Sequence, residues 1–166
     1  MNWDAIGAIG EIVGAAAVVA TLVYLAVQTR RNAASTQSST EVEASRQFSA
    51  WITRASLDDS IQRIWDEVQT ETPLSDEDVR KWLWYVAELF HMSEGIFIQY
   101  QKGFVSRDVW SEFERAMLGL LQLVPTQRWF HGRNSPLSDT FRRHIENLMT
   151  EEPVWKMPNV ARTVES

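Results

Sequence analysis

Apolar residues follow two patterns along this chain. Through residues 5–27, AIGAIGEIVGAAAVVATLVYLAV, they run almost unbroken, with Glu11 as the one charge. Beyond Arg31 they recur at three- and four-residue steps, the period of helices buried on one side. The first pattern predicts a transmembrane helix. Its length corresponds to a rise of about 34 Å, against a hydrocarbon core of about 30 Å. Trp3 and Tyr24 stand near its ends, where amphipathic rings favour the headgroup level. The competing reading is a buried helix of a globular core. Lys and Arg are missing before the run, unlike a secretory signal, and Arg30 and Arg31 follow it. By the positive-inside rule the N-terminus then lies outside a bacterial inner membrane and the C-terminal domain is cytoplasmic.

The second pattern predicts helices in sequence. Residues 31–40, RNAASTQSST, hold no breaker, so the first helix continues and places Val42, Phe48, Trp51, Ile52 and Ala55 on one stripe. Asp58 and Asp59 cap a short helix to about residue 69. Ser75, followed by Asp76, Glu77 and Asp78, opens the longest later helix, with acids facing the positive end of its dipole. That helix is apolar on most sides and so central, and Gly103 is its expected C-cap. Ser106 starts the next helix, Pro125 ends it, and Ser138 with Asp139 caps the last. The expected fold is all-α: one N-terminal transmembrane helix followed by a bundle of about five soluble helices. The expected domains are a transmembrane anchor at 1–31, a helical neck at 32–56, a helical domain at 57–150 and an extended tail at 151–166.

Composition narrows the partners. The net charge is −6, and Asp4, Glu11, Arg30 and Arg31 cancel, so the part after Arg31 also carries −6. A domain of that sign is a poor nucleic-acid binder. The absence of cysteine agrees with a reducing compartment and removes thiol nucleophiles. Eight tryptophans are explained first by core packing, with Trp65, Trp82, Trp84, Trp110 and Trp129 in or beside helices.

Candidate chemistry is sparse. Gly7, Gly10, Gly14, Ala17 and Thr21 make one small face of the first helix, with Glu11 beside it, and Gly10 to Gly14 is a GxxxG. Such a seam supports association with a second copy or another membrane protein, although Gly and Ala are common in any membrane span. Glu88, His91 and Glu94 fall on neighbouring positions of the central helix, and with Tyr100 they are candidates for a ligand site or for buried polar pairs with Arg115 or Arg128. A second ExxH copy, as in di-iron bundles, is missing, so no metal and no other cofactor is expected. No catalytic residue is assigned: there is no GxSxG elbow, SxxK pattern or phosphate loop after a strand. The segment from Arg128 through Trp129, Phe130, His131 and Gly132 to Arg133 and Asn134 mixes cations and aromatics that suit an anionic ligand or headgroup, or simply forms a helix end with surface arginines.

The opening NWDAIGAIGEIVGAAAVVATLVYLAVQTRRN resembles the start of a widespread family of small bacterial membrane-anchored α-helical proteins, a domain of unknown function. The likeness continues through SLDDSIQRIW, the PLSDED helix start and SEGIFIQYQKGFVSRDVW. It places Glu94, Gln99, Tyr100 and Gly103 in a motif like FENxYYQYRxG, with departures at Gly95 and Ile98. It implies membrane location and helical fold, and no activity. The expected function is a single-pass inner-membrane protein acting as an interaction or accessory module in a homo-oligomer or larger assembly, with the bilayer as one partner. The alternatives are a membrane-anchored enzyme or ligand sensor with its pocket near Glu88, His91 and Glu94, and, by loose analogy, a phage-defence role.

Overall fold

The computed structural model describes residues 3–132 and 135–151, with side chains at Glu11, 14–132 and 135–150. The described chain is all-α, with α1 at Trp3–Leu57, α2 at Asp59–Gln69, α3 at Asp76–Gln101, α4 at Arg107–Leu120, α5 at Val124–Phe130 and α6 at Asp139–Glu151. It divides into two compact units, Met1–Ser39 and Thr40–Ser166.

In the first unit, Val18, Val19, Leu22, Val23, Tyr24 and Leu25 are exposed. Thr21 and Thr29 turn their hydroxyls back on the helix, donating to the carbonyls of Ala17 and Leu25 at 2.8 and 2.9 Å. Glu11, Gly14, Ala17, Arg30 and Arg31 are exposed, and a Cβ added at Gly14 would meet nothing within 4 Å. The expectations on the side faces of Gly7 and Gly10, and on the tail from residue 152, lie outside the described residues.

The transmembrane expectation is corrected here. Among the described residues no helix is long and apolar enough to cross a membrane. The charge at Glu11 and the polar exit from Gln28 to Arg31 leave an uncharged run of residues 12–27, which rises about 24 Å, short of a core of about 30 Å. The inner-membrane topology, the bilayer as partner and the single-pass function, in both its accessory and its enzyme-or-sensor forms, are overturned with it. The phage-defence analogy rested on an anchor and loses its basis.

In the second unit, helix starts follow local chemistry. The Asp58 carboxylate accepts from the backbone N–H groups of Ser60 and Ile61, the Ser75 hydroxyl from Asp78 and the Ser106 hydroxyl from Val109. Hydrogen bonds from Ser60 and the Ile61 backbone hold the Asp58 carboxyl below its ordinary range. Ser106 is capped in turn, its N–H donating to Glu41 of α1 at 2.8 Å. Helix ends close by one motif at two places. After α3, Gly103 at φ 77° donates to the Tyr100 carbonyl and Phe104 to that of Gln99, both at 2.9 Å. After α2, Glu71 at φ 55° donates to the Val68 carbonyl and Thr72 to that of Glu67, at 3.4 and 2.8 Å. Glu71 thus stands in the left-handed position that ordinarily takes glycine.

Pro125 does not end α4, which stops at Leu120. It sits in the first turn of α5, where its missing N–H has no helical partner to lose. The core gathers Trp51 of α1, Ile64 of α2, Trp82, Val86 and Phe90 of α3, Trp110 and Phe113 of α4, Phe130 of α5, and Phe141 and Ile145 of α6. Each large apolar side chain so buried stabilises by about 1.5–3 kcal/mol. The Trp82 indole donates to Thr126 Oγ1 at 3.2 Å, and that of Trp51 to the Tyr85 carbonyl at 3.1 Å, so both rings enter the core with their N–H satisfied. Trp84, expected in the core, is instead exposed.

Candidate functional site

The four residues singled out on α3 have different surroundings. Glu88 is exposed and pairs with Arg54 of α1, not with Arg115 or Arg128. Glu94 accepts from the Ser138 N–H at 2.9 Å, capping the start of α6 from outside. His91 is exposed, its Nδ1 4.0 Å from Glu94 Oε2. Tyr100 is half-buried and stacks on Trp110 with ring centroids 5.9 Å apart. Among the described residues no three His, Asp or Glu side chains stand together in a way that could hold a metal ion.

A different cluster ties α4 to α6. Glu114, 4% exposed, accepts from Arg107 Nη1 at 2.7 Å, and its Oε1 lies 3.1 Å from His144 Nε2. The His144 ring stacks on Phe97 at 4.6 Å. The Glu114 carboxylate raises the Arg107 guanidinium above its ordinary value. With its carboxylate bonded on both oxygens, this cluster is spent on holding helices together. No local pattern in the sequence announces it, because Arg107 and Glu114 lie two helical turns apart on α4, and their third member is thirty residues away from Glu114.

The other end of the unit is open. A groove of about 970 Å³ is bounded by the turn from α2 to α3 and by the α4 to α5 segment. α3 contributes Val79 and Leu83, and Leu74, Leu123 and Trp129 add apolar wall. Glu71 belongs to one boundary and Arg128 to the other. Both are exposed, and neither forms an ion pair or side-chain hydrogen bond among the described residues. Close by, Arg63 of α2 donates to Asp78 Oδ1 at 2.7 Å and Ser75 donates to Asp78 Oδ2 at 2.6 Å, fixing the start of α3. Those bonds, Arg63 first, hold the Asp78 carboxyl below its ordinary range. The mixture of Arg128 and Trp129 was visible in the sequence. Their facing boundary was not, since it comes from the turn at Glu71.

The fold and the groove together define an all-α helical bundle with an open, partly apolar cleft at one end. No protein-family model, curated protein or solved structure matches the chain. The likeness to a membrane-anchored bacterial family is therefore not upheld, lacking both a matching family model and, among the described residues, a membrane-crossing helix.

Proposed function

We propose that the chain is a ligand-binding helical bundle whose site is the groove between the α2–α3 turn and the α4–α5 segment. The observation that carries this reading is the groove itself. Its volume of about 970 Å³ falls at the upper end of the roughly 300–1,000 Å³ of small-molecule sites, and its walls join apolar side chains to a few polar groups at the edge. Binding rather than bond chemistry is the role it supports, because Glu71 and Arg128 are charges suited to orienting a ligand.

The test is a titration of the isotopically labelled full chain with N-phenyl-1-naphthylamine, an uncharged apolar probe, followed by NMR. Saturable shifts are expected at the Val124 amide and the Trp129 indole. Val124 is 47% exposed, so Val124→Trp fills the groove without disturbing the core, and it should weaken those shifts by about tenfold in affinity. Shifts confined to the exposed apolar residues of the first unit, Val18 to Val27, would overturn the reading.

A further inference from the structure

We infer that the groove's ligand is an apolar zwitterion, with its ammonium group received by Glu71 and its carboxylate by Arg128; a short apolar peptide with free ends is the simplest member of that class. This inference rests on the groove being a binding site. Its first support is electrostatic. Glu71 and Arg128 line the same groove, carry opposite charges, and pair neither with one another nor with any other described residue. Elsewhere in this unit Arg46, Arg54, Arg63 and Arg107 hold carboxylates, whereas Arg80 and Arg115 stand on the surface as Arg128 does, so it is the shared groove with Glu71, not the lack of a partner, that singles out Arg128. A guanidinium presents planar donors that match a carboxylate, and a carboxylate accepts from an ammonium group, so one ligand bearing both groups satisfies both boundaries.

The second support is conformational. Glu71 takes φ 55° in a helix-closing turn whose counterpart after α3 uses glycine. A side chain held in that region against its preference points toward a use for the side chain. The third is the wall between the charges: Leu74, Leu83, Leu123 and Trp129 suit aliphatic side chains.

The probes are trileucine, its N-acetyl form and its C-terminal amide, each titrated into the full chain and read at the Val124 and Trp129 signals. Trileucine should bind best, with each blocked form weaker by about tenfold. Arg128→Gln should weaken trileucine while leaving the amide unchanged, and Glu71→Gln should weaken trileucine while leaving the acetyl form unchanged. Both positions are exposed, so unfolding midpoints should stay at that of the parent chain and separate lost binding from lost fold. Equal binding of all three peptides, or binding of the neutral naphthylamine with none of trileucine, would overturn the zwitterion inference and leave the groove standing. Silence of the groove toward every probe would overturn both.

Discussion

The two ends of the helical unit handle charge in opposite ways. Around Arg107, Glu114 and His144, the buried carboxylate is bonded on both oxygens, the neighbouring helix closes on Gly103, and the Ser106 N–H is capped by Glu41. Around the groove, a glutamate sits where glycine would be more relaxed, and an arginine faces solvent beside apolar wall. One end is arranged for stability. The other keeps a glutamate in a left-handed position and an arginine without a carboxylate partner, the two groups that the proposed ligand would use.

The largest expected effect lies at the paired end. Glu114→Ala leaves Arg107 and His144 without their shared acceptor. Breaking a fully buried pair costs about 3–5 kcal/mol, but Arg107 is more than half exposed, and solvent screening brings the expected loss to about 2 kcal/mol. Urea unfolding of the full chain should show a lower midpoint with an unchanged slope. A loss no greater than that of Glu71→Ala would erase the contrast between the ends.

What the sequence made legible divides along the same line. Asp58, Ser75 and Ser106 cap helices by bonding to backbone a few residues away, so their role is readable locally. Gly103 is readable for the same reason, as the residue after a helix that tolerates a positive φ. Glu88 and Glu94 were visible as polar residues on a mostly apolar helix, yet their partners, Arg54 and the Ser138 N–H, lie 34 and 44 residues away. Spacing along one helix says nothing about such distances. Composition puts Trp84 in the core, whereas it stands on the exposed face of α3, two residues from the buried Trp82. The long apolar run suggests a span, but among the described residues no helix is long and apolar enough to cross a membrane, Glu11 and the polar exit after Val27 bounding its uncharged part. The groove was half legible: Arg128 and Trp129 lie in one segment, but the opposite boundary depends on packing two turns against α3.

An intermediate effect tests the groove end by pH. Asp78 is held below the ordinary aspartate value of 3.8 by Arg63 and Ser75. A group depressed on folding contributes stability above its unfolded value and loses it as pH falls through the folded one. The α2–α3 junction should therefore weaken below pH 3.8, and Asp78→Asn should be less stable at neutral pH yet flatter between neutrality and about pH 2.5. Unfolding midpoints across that range provide the check, and an unchanged acid slope would remove Asp78 from the account.

The smallest effect bears most directly on the comparison. Gly103 and Glu71 occupy equivalent left-handed positions at φ 77° and 55°, and a Cβ added at Gly103 would meet nothing within 4 Å. Gly103→Ala therefore tests backbone strain free of any clash, and should cost about 1 kcal/mol. Glu71→Gly runs the same exchange backwards. It relieves the strain while loosening the unfolded chain, so it should gain up to about 1 kcal/mol. If the glutamate serves a ligand, the stabilised variant should also be the one that binds trileucine less well, stability and binding moving in opposite directions at one residue. Should Glu71→Gly lose stability instead, the side chain holds the turn, and its place at the groove is a matter of folding.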